Sequence, residues 1–154
     1  MKSDVIDFFI NDLQSSFPYC ISTTPLHIQS DDPCVVVCKE SAVVEHVDSY
    51  GFDIVENNDT QSRFTPDINK LFTSAVRLTK SYDLYAVLMT GIGDDGAKGL
   101  LALKEAGAYT IAEAQESCAI FGMPQRAIEL GAAKNVLTLD ELINFLVKEE
   151  IIDV

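Results

Sequence analysis

Basic side chains are scarce in this sequence. Eleven Lys and Arg stand against 24 Asp and Glu, for a formal net charge of −13. DNA, RNA or an anionic membrane surface would meet repulsion before contact, so no nucleic-acid partner is expected. Histidine is scarcer still, with only His27 and His46. The four cysteines, Cys20, Cys34, Cys38 and Cys118, include no C-x-x-C pair. Cys34 and Cys38 would share one face of a strand, but two cysteines without a histidine cluster do not make a zinc site, so no metal is expected; these two read as buried small hydrophobes, and Cys118 as packed too. No apolar run approaches the ~20 residues that span a bilayer. A basic stretch followed by an apolar core, the mark of a secretory signal, is missing from the amino end. These absences lead us to expect a cytoplasmic protein with reduced thiols, no membrane insertion and no cofactor. Internal repeats and low-complexity linkers are also missing.

What is present suffices for one core. With 154 residues and 47% hydrophobic content, a single domain over 1–154 is expected. Its chemistry concentrates between Leu84 and Ala112. The apolar run Leu84–Met89 fits a strand buried on both faces of a parallel sheet. The loop Thr90-Gly91-Ile92-Gly93-Asp94-Asp95-Gly96 follows at once. Ala97, Leu100, Leu101 and Leu103 then recur at helical spacing until Gly107, a good left-handed C-terminal residue. Ala108–Ala112 is the next strand. In such β-α-β units function sits in the loop beyond the carboxyl end of a strand, and Thr90–Gly96 is that loop.

In chain order, Val5, Ile6, Phe8, Phe9 and Leu13 form an amphipathic helix after a Ser3 or Asp4 cap. A short strand near Tyr19–Ser22, a turn through Ser30–Pro33, and the runs Cys34–Cys38 and Ala42–Val47 come next, the last two as a hairpin or meander. Phe52–Val55 adds a short strand, and Glu56–Arg63, centred on Asn57-Asn58-Asp59, is a polar loop. Pro66 in a first turn opens a helix with Ile68, Leu71, Phe72, Ala75, Val76 and Leu78 on one stripe. Beyond Ala112, a loop reaches Pro124, followed by a helix Gln125–Leu130 and a strand Asn135–Leu137. Thr138 to Glu141 is a capping box for a last helix, with Leu142, Ile143, Leu146 and Val147 toward the core. The expected architecture is a doubly wound α/β domain. Its mostly parallel sheet uses the strands near Tyr19, Leu84, Ala108 and Asn135, with an antiparallel β-hairpin excursion over Cys34–Val55.

Three readings of the loop stay open. Gly91-x-Gly93-x-x-Gly96 matches the dinucleotide fingerprint, with Glu113 where a ribose-binding acid would stand. Against this, Asp94 and Asp95 put two carboxylates where a pyrophosphate would need the positive end of the helix. In the second reading the glycines make a tight turn and Asp94 or Asp95 caps the helix. In the third, one carboxylate orients a catalytic base, as the acid of a triad does.

A family resemblance enters at these residues. Gly91-x-Gly93-x-Asp95-Gly96, the Ala106-Gly107-Ala108 turn, the strand Thr110-Ile111-Ala112, and Glu116-Ser117-Cys118 leading to Phe121-Gly122-Met123-Pro124 resemble the carboxyl-terminal half of the chemotaxis protein-glutamate methylesterases, the CheB-type catalytic domain. A weaker similarity runs upstream through Phe64–Ala75. The resemblance implies an α/β domain that hydrolyses glutamyl methyl esters on methyl-accepting chemotaxis receptors with a Ser-His-Asp triad. The acid maps onto Asp95, with Thr90, Gly91, Ile92, Gly93 and Gly96 shaping its loop. Asp94 falls at a variable position, and Ile92 stands where the family commonly has Met. The family's nucleophile sits in a Gly-x-Ser-Thr-Gly-Gly turn and its base in a Gln-His-Met turn, and this sequence has neither. The resemblance therefore implies a domain without its first two strands, inactive alone, that associates with another copy or with the absent amino-terminal segment. A non-catalytic binding or assembly module in chemotaxis signalling is the other class.

No other residues replace the missing pair. His27 and His46 lie in the hairpin region, as peripheral histidines, and a base must come within hydrogen-bond reach of its nucleophile. Ser117 reads as a loop or cap residue, because an unactivated serine is a poor nucleophile. Left without partners, Asp95 should bind N–H groups of the helix turn that follows it, so that Asp95→Asn should cost little stability.

Overall fold

The chain begins with α1 (Ser3–Ser16), followed by β1 (Cys20–Thr23), β2 (Leu26–Gln29), β3 (Cys34–Val37), β4 (Ala42–Glu45) and β5 (Gly51–Glu56). Then come α2 (Ile68–Ala75), a 3-10 turn (Val76–Lys80), β6 (Tyr85–Leu88), α3 (Ala97–Glu105), β7 (Tyr109–Glu113), α4 (Met123–Glu129), β8 (Asn135–Leu137) and α5 (Leu139–Lys148). This computed structural model describes residues 3–16, 20–29, 34–57 and 61–149. Tyr19, the turn Ser30–Pro33 and Asn58–Thr60 lie outside the described residues, as do the side chains of Ser3 and Asp4.

The β-α-β unit forms as its apolar runs dictate. β6, β7 and β8 make a parallel sheet in that order, with Leu88 opposite Ala112 and Ala112 opposite Val136. Between β6 and β7, α3 ends on Gly107 at φ +99°. There the Ala108 N–H donates to Leu103 O and the Gly107 N–H to Lys104 O, a Schellman cap that only a left-handed residue completes without strain. α4 ends the same way on Gly131, with Ala132 N–H on Ala127 O. Leu88, Leu100, Leu103 and Ile111 fill the space between sheet and helices and are fully buried. Each such side chain contributes roughly 1.5–3 kcal/mol.

The amino-terminal half departs from expectation. Cys34–Val37 does not turn back on Ala42–Glu45; it pairs in parallel with β1 as a separate two-stranded sheet. β1 accordingly does not join the sheet of β6. A strand that the sequence reading lacked, β2, pairs with one edge of β5 while β4 takes the other, both antiparallel. A four-residue apolar run satisfies either kind of ladder, so its partner is decided by distant chain and not by its own pattern. Among the described residues this is an α/β domain with two parallel sheets and one antiparallel sheet.

Helix ends and faces also shift. α2 is capped by Asp67, whose side chain accepts from Lys70 N–H, and Pro66 precedes the cap instead of opening the helix. α4 starts at Met123 with Pro124 in its first turn. The capping box of α5 is present, with Thr138 N–H donating to Glu141 Oε2 at 2.8 Å. Of the α5 residues expected in the core, Leu142 is buried and Leu146 partly so, whereas Ile143 and Val147 are exposed. Phe145 packs instead, stacking on Tyr109 at 5.1 Å between centroids. Among the described side chains of α1, Ile6 and Ile10 are buried, while Val5, Phe8 and Phe9 face outward.

Candidate active-site loop

Asp95 stands at the end of the loop that leaves β6 and is 3% exposed. Its carboxylate does not cap the helix that follows. Oδ2 accepts from Ile68 N–H at 2.9 Å and Oδ1 from Asn69 N–H at 3.1 Å, both in the first turn of α2. Oδ1 also takes Gly96 N–H at 2.8 Å. The cap position of α3 is held by Gly96, without a side-chain hydrogen bond. The correction has a steric cause. Gly96 turns at φ +80°, and a Cβ there would meet Leu88 Cδ1 at 2.6 Å and Ile68 Cγ2 at 2.9 Å, so loop and α2 touch at this point. That contact delivers the carboxylate to the amides of α2, where the partial positive charge of the helix end favours it. An ionised carboxylate offers about four acceptor positions. Three are filled, and the one left is on Oδ2.

The start of the loop is bound to the segment before α4. Thr90 Oγ1 donates to Ile120 O and accepts from Ile120 N–H. Gly91 N–H also donates to Ile120 O, while Gly91 O accepts from both Gly122 and Met123 N–H. Gly91 bridges Phe121 in parallel. A Cβ on Gly122 would lie 2.6 Å from Gly91 O and 3.0 Å from Gly93 N, so this approach needs glycine at 122, whereas one on Gly91 would meet only the flexible Met123 side chain. Pro124 is buried beneath. Thus Thr90, Gly91, Phe121, Gly122 and Met123, separated by some thirty residues, form one unit. At its rim Ile92 is 75% exposed, with Met89 and Ile120 exposed beside it.

Beneath the loop Glu113, 2% exposed, accepts from Thr90 N–H at 2.8 Å and from Ser117 Oγ at 2.8 Å. Ser117 in turn accepts from Leu139 N–H at the start of α5, which makes it a connecting loop residue. Burial, then the charge of Glu113, pushes the Cys118 thiol up. The dinucleotide reading loses its residues here: Glu113 is turned inward and engaged, and Asp95 already holds the amide that a phosphate would claim. Asp94 is exposed and lines a cleft of about 360 Å³ with Arg63 and Lys98.

The histidines stand elsewhere. His27 on β2 and His46 after β4 both place Nδ1 on Asp53, at 2.5 and 2.9 Å, and both are exposed. Hydrogen bonding from His27 holds the Asp53 carboxyl below the usual carboxylate range, with His46 adding to the effect. Both imidazoles are thus engaged on Asp53, and the hydrogen bonds of Asp95 come from backbone amides instead. Among the described residues no three His, Cys, Asp or Glu side chains are placed to hold a metal. Sequence reasoning missed the seat of Asp95 on α2, because the amides of Ile68 and Asn69 carry no side-chain signature.

The family model described as CheB methylesterase matches residues 7–146. A protein-glutamate methylesterase/protein-glutamine glutaminase of Chromobacterium violaceum is 49% identical over 79 residues, 51% of this chain and 22% of that protein. One of Borreliella burgdorferi is 44% identical over 87 residues, 56% of this chain and 22% of that protein. The aligned segments thus span under a quarter of these relatives. The fold matches the CheB methylesterase catalytic domain of Thermotoga maritima with a TM-score of 0.80 at 23% identity, over 96% of this chain and 79% of that one.

Proposed function

This chain belongs to the CheB methylesterase family, and on that premise we propose that it supplies the acid of a Ser-His-Asp triad for hydrolysing glutamyl methyl esters on methyl-accepting chemotaxis receptors. The observation that carries the reading is Asp95: a buried carboxylate at the carboxyl end of a parallel strand, fixed by three amides, with one acceptor position left on Oδ2. That position suits the Nδ1–H of an imidazole. The acid would then hold the base in one tautomer and stabilise the imidazolium formed when serine attacks the ester carbonyl and methanol departs. Water next attacks the acyl-enzyme and frees the glutamate. Thr90, Gly91, Ile92, Gly93 and Gly96 set the loop, and Phe121–Pro124 brace it.

The serine and the base come, in this reading, from a segment carrying the Gly-x-Ser-Thr-Gly-Gly and Gln-His turns, joined in cis or in trans, since a second copy of this sequence would bring neither turn. β6 supports it: among the described residues its one strand partner is β7, and no strand pairs with its other edge. Val5, Phe8 and Phe9 leave apolar surface for the same association. The place of action is the cytoplasm, in line with the finding that among the described residues no helix is long and apolar enough to cross a membrane.

The test is methanol release from methylated receptor membranes. The 154-residue chain alone should release none. A chain joined to the two missing turns should release methanol, and Asp95→Asn should reduce that by orders of magnitude through loss of the histidine tautomer. Asp95-dependent release by the chain alone would overturn the need for a second segment. A folded, joined chain that stays inactive would favour the binding-module reading.

A further inference from the structure

Apart from the active-site loop, one pair of reactive side chains is brought together by register. Among the described residues no two cysteines are joined in a disulfide. In the parallel ladder of β1 and β3, Cys20 is the direct partner of Cys34. Direct partners in a parallel ladder point to the same face, and neighbouring strands lie about 4.7–4.9 Å apart. That spacing falls inside the roughly 4.4–6.8 Å Cα window of a disulfide, whose Cβ atoms need about 3.5–4.5 Å. The two strands have only to converge by less than about an ångström, and among the described residues no second strand pairs with β1 to oppose this. Both residues line one cavity of about 550 Å³, together with Ser22, whose Oγ is 3.4 Å from the sulfur of Cys20. Cys20 is exposed and Cys34 half-buried, so one thiol is placed to meet a reagent and the other to resolve the product.

We propose that Cys20 and Cys34 are a thiol-modification site, which closes to an intramolecular disulfide when the protein meets a small-molecule disulfide such as oxidised glutathione. The Cys20 thiolate attacks one sulfur of the reagent, forming a mixed disulfide and releasing one glutathione thiolate. The Cys34 thiolate then attacks the Cys20 sulfur and displaces the second glutathione. Two protons leave the protein thiols, the protein pair is oxidised by two electrons, and the reagent is reduced to two thiols. The product fastens β1 to β3. The other cysteines act as internal controls. Burial, with Glu56 nearby, pushes the Cys38 thiol up, and Cys118 is raised by burial and Glu113. Both therefore hold less of the attacking thiolate.

The experiment is incubation of the full chain with oxidised glutathione, followed by intact mass and non-reducing peptide mapping. The expected result is the loss of two hydrogens, no retained glutathione, and a single cross-linked peptide joining Cys20 to Cys34. Cys34→Ser should instead keep one glutathione on Cys20, because the resolving thiol is gone. A wild-type chain that stays fully reduced, that accumulates glutathione on Cys20, or that links Cys20 to Cys38, to Cys118 or to a second chain would overturn the proposal. Should Cys34→Ser fail to fold, Cys20→Ser, altered at an exposed position, decides in its place. It should form no intramolecular disulfide, and a cross-link of Cys34 to another cysteine at wild-type rate would overturn the pairing. The readout is independent of esterase activity.

Discussion

Replacing Asp95 with Asn asks how much the inverted cap is worth. Asn keeps one carbonyl oxygen, which can still face Asn69 and Gly96, but it turns an NH₂ toward the N–H of Ile68. Two charge-assisted bonds become neutral, at about 1 kcal/mol each, and one buried donor faces another donor at about 1–3 kcal/mol. Relief from burying a charge offsets part of this. The expected net loss is about 2–4 kcal/mol, well beyond the slight effect predicted from sequence, where the carboxylate was expected on an open helix turn. With a urea slope of roughly 2 kcal/mol/M for a domain of this size, the unfolding midpoint should fall by about 1–2 M with the slope unchanged. Asp95→Ala, which leaves all three amides unmet, should fall further. A midpoint shift under about 0.3 M for Asp95→Asn would refute the reasoning, because those amides would then be satisfied without the carboxylate. Activity of a joined enzyme must be compared at conditions where both forms are folded, so that lost turnover is not mistaken for lost structure.

Three further outcomes are expected. Gly122→Ala puts a methyl 2.6 Å from Gly91 O and should cost about 1–3 kcal/mol in chemical denaturation, whereas Ile92→Ser at the exposed rim should stay within about 0.5 kcal/mol. Thr138→Ala should cost about 1 kcal/mol through loss of the α5 cap, read as a lower thermal midpoint. Bonds from Thr138, its backbone N–H first, hold the Glu141 carboxyl below its usual range. The contribution of Glu141 is therefore complete above the ordinary glutamate value and lost as pH falls through the lowered one, so Glu141→Ala should narrow the stability difference from wild type as the denaturation buffer is taken from neutral to strongly acid pH.

What could be read from the sequence was what local chemistry decides. The β6–α3–β7 unit was legible because its strands are continuously apolar and Gly107 marks a left-handed turn, although β6 buries only Ala86 and Leu88 fully and Met89 is exposed; the α5 cap was legible because Thr138 and Glu141 stand at fixed spacing. Pairing in the amino-terminal half was not legible. The run Cys34–Val37 fits a parallel or an antiparallel neighbour equally, and Leu26–Gln29, following Pro25, has too few residues to declare a strand. Ile143 and Val147 belong to the apolar pattern of α5, yet no described element covers them, since periodicity gives the width of a stripe and not the width of its partner. The loop of the candidate site was legible as a motif. Its hold on α2 was not, because that hold is made of backbone amides.

That hold also orders the folding of the chain. α2 is eight residues long, shorter than the roughly 12–15 residues at which an isolated helix becomes even marginal in water. Two of its first amides are met by a carboxylate 26 and 27 residues downstream. The helix therefore cannot be completed until β6 and the loop after it have been laid down, although both follow it in sequence. Its amides should exchange with solvent in the same cooperative unit as β6 and α3, and mutations within α2 should change the unfolding rate more than the folding rate.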